Sequence, residues 1–237
     1  MPVTCAVMCG RFTSTASAAD LAAYFAVDEI VAEDVDPRWN VAPTDEVYGV
    51  AQSASTGRRR LGTFRWGLVP FFAKDASGGA RMINARAETL LEKPAFRRSF
   101  ERYRCIVPAD GFYEWQAVDG QRRKQPWYFR RRDGDVLAFA GLWSAWRPQR
   151  DSDEGRIVSC TVITGAPNAV VAPIHDRMPV VLPPASWAEW LDPGNDDVGA
   201  LQELLVPAPA ELFEAIAVSD AVSNVRNDGP HLLEPAT

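Results

Sequence analysis

The chain contains few of the residues that mark several large protein classes. Only four cysteines occur among 237 residues, and none forms a C-x-x-C pair. This scarcity argues against a structural zinc site or a disulfide framework and favours a reducing, cytoplasmic setting. No long apolar run is present, which excludes a membrane-spanning helix. The G-x-G-x-x-G spacing of a phosphate cradle is also missing, and we expect neither a metal nor a cofactor.

Positive and negative charges are distributed unevenly along the chain. Residues 81–132 contain 13 Lys or Arg against 6 Asp or Glu, whereas residues 186–237 contain 1 Arg against 10 acidic residues. A domain polarised in this way can present a basic groove to nucleic acid although its net charge is −6. Basic strands and acidic helices that merely solvate their outer faces would give the same pattern. Charge alone therefore leaves both interpretations open.

Strand patterns dominate the middle of the chain, and helix patterns lie mainly towards its ends. Short segments rich in aromatic and β-branched residues predict strands at Glu46–Gln52, Arg59–Trp66, Cys105–Val107, Phe112–Gln116, Trp127–Arg132, Val136–Trp143 and Ile157–Thr164. Helices are predicted at Ser17–Val27, Pro94–Tyr103, Trp187–Leu191 and Asp197–Leu205, the third with a capping box of Ser186 and Glu189.

These elements predict an α+β fold: a single domain with a curved, mainly antiparallel β-sheet or barrel-like core, flanked by helices. The domain is expected to span residues 8–237, with residues 1–7 as a leader or a wrongly assigned start. Nothing in the sequence requires more than a monomer.

The tetrapeptide Met8-Cys9-Gly10-Arg11 reads like a translation start. As a first residue, Cys9 would carry an α-amine with a pKa of about 7.7–8.0 beside a thiol of about 8.5. Such a 1,2-aminothiol captures an aldehyde as an imine and then closes to a thiazolidine. The alternative is a small, half-buried cysteine in the first strand.

The segment Ile83–Glu88 combines an amide with a guanidinium. Asn84 offers a donor and an acceptor that could orient a sugar or a carbonyl, and Arg86 offers a planar fork for phosphate. A turn-forming asparagine beside a surface ion pair would also explain this pattern.

The segment Gly111–Trp115 places a carboxyl group among aromatic rings. In a strand, Phe112 and Glu114 share one face, while Tyr113 and Trp115 share the other. A poorly solvated carboxyl favours its protonated form, which suits Glu114 to acid–base chemistry. An edge-strand glutamate that points to solvent is the ordinary alternative.

The segment Ile174–Pro179 contains one of only two histidines. A catalytic imidazole must therefore be His175 or His231, and His231 lies in the C-terminal tail. His175 is flanked by an apolar side and by a charged pair, which fits a groove lip where Arg177 faces phosphate. A structural histidine with satisfied hydrogen bonds remains an alternative.

Tryptophans and prolines form a further candidate set. Exposed tryptophans such as Trp66 and Trp115 can stack on unpaired bases, for about 1–3 kcal/mol each, and a rigid residue such as Pro43 can act as a wedge between bases. In a chain with eight tryptophans, core packing is the default for any one of them.

Seven segments in order together resemble the SRAP family, the SOS response-associated peptidases or abasic-site processing proteins. They are Met8–Phe12, Asn40–Pro43, Trp66–Pro70, Ile83–Glu88, Arg104–Trp115, Ile174–Pro179 and Val222–Asn227. One such segment would be a weak match, but seven in the family's order, over most of the chain, make the resemblance specific.

The resemblance implies a protein that binds single-stranded DNA and crosslinks covalently to abasic sites through an N-terminal cysteine. Cys9 would be the nucleophile, Asn84 would orient its amine and the sugar, and Glu114 and His175 would move protons. The remaining implied contacts are those with DNA. They are phosphate contacts at Arg11, Arg86 and Arg177, base or sugar contacts at Trp66 and Trp115, and a wedge at Pro43.

Two other classes of function use the same residues. A cysteine hydrolase or peptidase would combine Cys9 and His175 with Asn84 or Glu114, and needs only the thiol. A non-covalent binder of single-stranded nucleic acid would use the tryptophans and arginines alone, and would bind intact and abasic strands alike.

The family's chemistry requires a free amine on Cys9, whereas residues 1–7 would lock that amine in a peptide bond. Translation from Met8 followed by removal of Met8, or self-cleavage after Met8, would both free it. We favour the first, because an arbitrary leader would rarely end in methionine. Both routes predict that the intact mass of the native protein corresponds to a chain starting at Cys9, and a mass that includes Met1 would contradict both.

Overall fold

Short segments rich in aromatic and β-branched residues form most of the structure. It is a computed structural model that describes residues 10–149 and 155–236. Within these ranges the strands are β1 (Phe12–Ser14), β2 (Glu29–Ile30), β3 (Arg38–Val41), β4 (Glu46–Gln52), β5 (Arg59–Trp66), β6 (Asn84–Arg86), β7 (Arg104–Ala109), β8 (Gly111–Gln116), β9 (Gln125–Arg131), β10 (Leu137–Trp146), β11 (Ile157–Gly165), β12 (Met178–Pro179) and β13 (Phe213–Ala217).

The α-helices of the described ranges are short. They are α1 (Ala18–Tyr24), α2 (Pro94–Arg102), α3 (Trp187–Leu191) and α4 (Val198–Glu203). None of these helices has the length and apolar character that crossing a membrane requires.

The starts of the helices test two predictions. Pro94 occupies the first turn of α2, where its missing N–H costs nothing. The capping box at α3 is wrong, because Ser186 closes the 3₁₀ turn Pro184–Ser186 and its side chain makes no capping hydrogen bond.

Two β-sheets organise the chain. Strands β4, β5, β11, β10 and β7 form a closed mixed barrel, because β11 pairs antiparallel with β10 and parallel with β5. The second sheet has the order β13-β9-β8-β1-β3. Strand β6 adds to the barrel by pairing parallel with β11, which sets Asn84 opposite Val162. The predicted α+β fold with a barrel-like core is confirmed, while the domain start at residue 8 lies outside the described residues.

An aromatic cluster joins the two sheets. Phe112 of β8 stacks on Phe129 of β9 with 5.0 Å between ring centroids, and Phe112 and Phe12 both meet Phe139 of the barrel edge-on. All four rings are buried. Because side chains alternate along a strand, a core position for Phe112 turns Glu114 towards the same side of β8.

Arg104 holds the helical layer to the barrel. It is 3% exposed, and its guanidinium donates hydrogen bonds to five backbone carbonyls. These carbonyls belong to Trp190, Phe100, Glu101, Asp192 and Asn195. They include the ends of α2 and α3, where the helix dipoles favour a cation. Burial lowers the pKa of Arg104, so the carbonyls must offset the cost of removing the charge from water.

Replacing Arg104 should therefore destabilise the protein strongly. Arg104→Met keeps the apolar stem but leaves several buried carbonyls without a donor, and we expect the free energy of unfolding to fall by about 3 kcal/mol or more. Urea denaturation measures this change. Arg102→Met, at an exposed neighbouring position, is the matched control and should change stability by less than about 1 kcal/mol. Equal effects of the two substitutions would contradict the role of Arg104.

Candidate active site

A carboxyl group and an imidazole from two separate sequence motifs meet below the surface. Glu114 Oε2 lies 3.7 Å from His175 Nε2, and the two side chains are 2% and 11% exposed. Water is largely excluded from both groups, which strengthens electrostatic interactions between them and with any reacting atom. The distance exceeds a direct hydrogen bond, so both groups can approach one atom of a bound molecule.

The orientation of the imidazole is set by the backbone that follows it. The N–H of Arg177 donates to His175 Nδ1 at 3.1 Å. The neutral ring therefore carries its proton on Nε2, the nitrogen that faces Glu114. Asp176 Oδ1 also lies 3.3 Å from Nδ1, but its side chain is largely exposed, so water screens this contact.

The loop that presents His175 is organised by a buried amide. Asn168 Oδ1 accepts the backbone N–H groups of Val170 and Val171, and its Nδ2 donates to the carbonyl of Ala208 at 3.0 Å. The N–H of His175 then bonds to the carbonyl of Val171 at 3.0 Å. These bonds give the loop a fixed turn, and the turn fixes where the imidazole lies.

A side-chain bond ties this loop to the strand that carries the carboxyl group. Gln116 Nε2, two residues after Glu114 on β8, donates to the carbonyl of Pro173 at 3.0 Å. The loop and the strand are therefore held together next to the pair of functional groups.

The motif Ile83–Glu88 lies along the barrel strand β11. Asn84 is partly exposed on β6, Arg86 ends that strand and is exposed, and Glu88 follows in a 3₁₀ turn. Glu88 Oε1 forms an ion pair with Arg177 Nη1. Two predicted motifs are thus linked by one contact, and the expected phosphate ligand Arg177 is held by a carboxylate of the same site.

Arg11 is clamped to the C-terminal part of the chain. Its Nη1 donates to Asn40 Oδ1 at 2.9 Å and to the carbonyl of Val222 at 3.0 Å, and its Nη2 to the carbonyl of Ser223 at 3.5 Å. Burial lowers the pKa of this guanidinium. Three of its five N–H groups are engaged in these bonds, so Arg11 anchors the chain two residues after Cys9.

Asn40 is the centre of that clamp. It has no exposed surface, and its Nδ2 donates to the carbonyls of Val222, Asn224 and Asn227 at 2.8–3.2 Å. The motifs Asn40–Pro43 and Val222–Asn227, which are far apart in sequence, therefore form one structural unit with Arg11.

Pro43 lies in a tight turn at the end of β3. The N–H of Asp45 bonds to the carbonyl of Ala42 at 3.1 Å, and Thr44 adopts φ +80°, a conformation that a β-branched residue rarely takes. Pro43 at the second position and a positive φ at the third describe a type II turn. The proline ring is partly exposed at the turn, where a rigid wedge would have to be.

The two candidate tryptophans have different environments. Trp66 has no exposed surface, and its Nε1 donates to the carbonyl of Ile83 at 3.0 Å. A ring without exposed surface cannot stack on a base, so the expected DNA contact of Trp66 is corrected to a core position that supports β6. Trp115 is half-buried, and its ring centroid lies 6.0 Å from Arg11 Cζ. The ring also lines an open cleft of about 730 Å³.

Two exposed aromatic residues were missed by the sequence analysis. Phe71 and Phe72 are 49% and 53% exposed, with their rings edge-to-face at 5.2 Å. They directly follow Trp66–Pro70. Two adjacent aromatic residues after a proline are the sequence pattern that could have indicated an exposed aromatic contact. Sequence reasoning also missed Asn168, since nothing in its local pattern reveals the loop that it organises.

Cys9 lies outside the described residues, so the structure gives no position for the expected nucleophile. Of the other cysteines, Cys105 and Cys160 are free and buried, and burial raises the pKa of both thiols, which makes them poor nucleophiles. Among the residues that the structure describes, no group of three or more His, Cys, Asp or Glu side chains could hold a metal ion.

Comparisons with known proteins agree on one family. A model of the SOS response associated peptidase (SRAP) family matches residues 8–225. Abasic site processing protein YoqW of Bacillus subtilis (strain 168) is 43% identical over 229 residues, which cover 96% of this chain and 99% of that protein. Abasic site processing protein YedK of Escherichia coli (strain K12) is 31% identical over 236 residues, which cover 96% and 100%.

A solved structure supports the same relationship. A protein from Bacteroides thetaiotaomicron superposes with a TM-score of 0.83 at 25% identity, covering 97% of this chain and 100% of that protein. The family match, the relatives and the fold thus agree with the motifs: the chain belongs to the SOS response associated peptidase (SRAP) family.

Proposed function

We propose that this protein recognises abasic sites in single-stranded DNA and captures them as a covalent thiazolidine on Cys9. The names of the relatives support a role in processing abasic sites. The observation that carries the chemical part is the buried pair of Glu114 and His175, 3.7 Å apart. Such a pair can deliver and accept protons in one water-poor site, which the opening of a deoxyribose ring requires.

The first step is the opening of the sugar. An abasic deoxyribose is a closed hemiacetal in equilibrium with an aldehyde. Glu114 in its acid form donates a proton to the ring oxygen while the bond from that oxygen to C1′ breaks, and the proton of the 1′-hydroxyl passes to the Glu114 carboxylate so formed. In this proposal His175 Nε2–H donates a hydrogen bond to the freed hydroxyl group. The products are an aldehyde at C1′ and an alcohol at C4′.

The second step joins protein and DNA. The amine of Cys9 adds to C1′ and one water molecule leaves, which gives an imine. The thiol then adds its sulfur to the imine carbon and its proton to the nitrogen, which closes the thiazolidine. The side-chain amide of Asn84 can orient the amine and the sugar. Holding both reactants in register raises their effective concentration far above that in solution.

Contacts with the strand follow from exposure and charge. Arg86 and Arg177 are proposed to hold phosphates. Because Arg177 is paired with Glu88, a phosphate would either bind Arg177 together with the Glu88 carboxylate or displace that carboxylate. Arg11 is proposed to orient Cys9 and to approach the phosphate chain with its remaining donors. Aromatic rings that are at least partly exposed are the proposed base contacts. They are Trp115, Phe71 and Phe72, with Pro43 as the wedge.

Two side activities belong to the same proposal. At the imine stage, loss of a proton from C2′ with breakage of the C3′–O bond would cleave the strand by β-elimination, so a weak lyase activity is expected. The Cys9 amine can react only once it is free, through initiation at Met8 followed by removal of Met8, or through self-cleavage after Met8.

The covalent step should depend on Cys9 alone among the cysteines. A chain that begins at Cys9, incubated with an abasic oligonucleotide, should give a slower band on a denaturing gel. Cys9→Ala should give no such band because it removes the sulfur, and the imine that the remaining α-amine can form is hydrolysed when no thiol closes the ring. Acetylation of the Cys9 amine should also abolish it, whereas a thiol-only hydrolase would survive acetylation.

Cys160→Ala is the matched control, since it removes a buried thiol of the barrel and should leave crosslinking unchanged. Full crosslinking by Cys9→Ala would refute the assignment. A band that disappears in detergent would indicate non-covalent binding instead.

Glu114→Gln and His175→Ala should slow capture without preventing it. Loss of one proton-transfer group costs about 10²-fold in rate, while affinity for an undamaged strand should stay unchanged because neither group is a proposed strand contact. Single-turnover crosslinking, followed on denaturing gels over a range of pH, measures the rates. His231→Ala removes the second histidine of the chain and should react as the unaltered protein does. Equal rates for His175→Ala and His231→Ala would exclude His175 from the chemistry.

A further inference from the structure

A second groove, apart from the Glu114–His175 pair, combines arginines with aromatic rings. We call it the arginine–aromatic groove. Its volume is about 270 Å³, and its lining includes Phe71, Arg98, Tyr103, Trp143 and Arg156. Among the residues that the structure describes, no acidic side chain lines this groove, so its described lining does not repel a negatively charged ligand.

Arg98 is held in this groove by aromatic rings rather than by a carboxylate. Its guanidinium lies 4.3 Å from the ring centroid of Phe71 and 5.7 Å from that of Tyr103, and Nη2 is 3.4 Å from the Tyr103 hydroxyl. Other arginines of the chain are neutralised, for example Arg60 by Glu29 at 2.9 Å. A cation oriented by ring faces keeps its hydrogen-bond donors available to an incoming anion.

The rings themselves offer an apolar surface. Tyr103 and Trp143 are both half-buried and meet edge-to-face, with centroids 5.1 Å apart and planes at 71°. In this arrangement at least part of each ring stays accessible. Stacking of a base on such a ring contributes about 1–3 kcal/mol and tolerates any base.

A larger cleft of about 540 Å³ continues from the groove across the end of the barrel. The two share Tyr103, Trp143 and Arg156, and the larger one adds Arg102 at its edge. The combined surface is therefore longer than one nucleotide needs. It fits an extended ligand that alternates flat apolar groups with negative charges.

The surface is separate from the reaction site but lies near it. Val158, in the larger cleft, lies four residues before Val162, the partner of Asn84, a distance of about 13 Å along β11. Phe71 reaches the groove from the Trp66–Pro70 segment, and Trp66 contacts the backbone just before Asn84. A strand that leaves the reaction site therefore has only a short distance to cover before it reaches the larger cleft.

We propose that the arginine–aromatic groove is a second nucleic-acid subsite, which binds nucleotides of the same strand beyond the lesion. Bases would stack against Tyr103 and Trp143, and phosphates would contact Arg98 and Arg156. The inference rests on the proposed function for the identity of the strand. It adds that nucleotides flanking the abasic site contribute to the affinity of the protein for the strand.

The test uses abasic oligonucleotides whose flank is lengthened one nucleotide at a time, on one side of the lesion and then on the other. Fluorescence anisotropy with Cys9→Ala protein measures affinity without crosslinking. We expect affinity to rise in a step once one flank reaches the groove. Arg98→Gln and Arg156→Gln should each weaken binding of the long oligonucleotide about 5-fold and lower its salt slope by about 0.7, and leave the shortest one unaffected.

Arg132→Gln is the matched control, because it removes the same charge from an exposed position that lines neither cleft. A loss with Arg132→Gln equal to that with Arg98→Gln, or a loss independent of flank length, would overturn the subsite. So would the absence of any step. Crosslinking of the shortest abasic oligonucleotide by the protein that begins at Cys9 tests the proposed function separately. It should be unchanged in Arg98→Gln.

Discussion

The burial of one carboxyl group beside one imidazole is the constraint on which the site depends. Moving a carboxyl group out of water is costly unless the surrounding structure supplies partners and a fixed geometry. Here the cost is borne at Glu114, in a strand whose neighbouring residue on the same face, Phe112, belongs to the main core. The packing that stabilises the fold therefore also fixes the acid group. His175 reaches it only because the Asn168 loop is held in one turn.

A second constraint concerns the beginning of the described chain. Arg11 and Val222 are separated by 211 positions, yet a hydrogen bond of 3.0 Å joins them. Asn40 holds both partners at once, which makes the clamp a buried network rather than a surface contact. A nucleophile on a free end would lose much conformational freedom on reacting. Because Arg11 is already fixed two residues from Cys9, less conformational entropy is lost when Cys9 reacts. Restricting the reactants before the reaction is the usual origin of a high effective concentration.

The charge pattern shows how far sequence reasoning reaches. Residues 81–132 contain an excess of cations, but these cations serve different purposes in the structure. Arg104 holds helix ends in the interior, Arg130 and Arg131 pair with acids, and Arg98 lies on aromatic rings. Composition gives only the sum of these charges. Which of them reach solvent depends on distant partners, and no local pattern contains that information.

The amino-acid sequence is sufficient to predict the α+β class, the main strands and the family, because these depend on local periodicity and on motifs whose residues are adjacent. It also gave the alternation that puts Glu114 on the face of Phe112. It misassigned Trp66, because exposure of a ring depends on what packs over it. Tertiary structure alone decided the meeting of Glu114 with His175, the clamp of Arg11 by Asn40 and the groove around Arg98. Each joins segments whose separation along the chain leaves no periodic signal, so only the closed barrel and its second sheet bring them within contact distance.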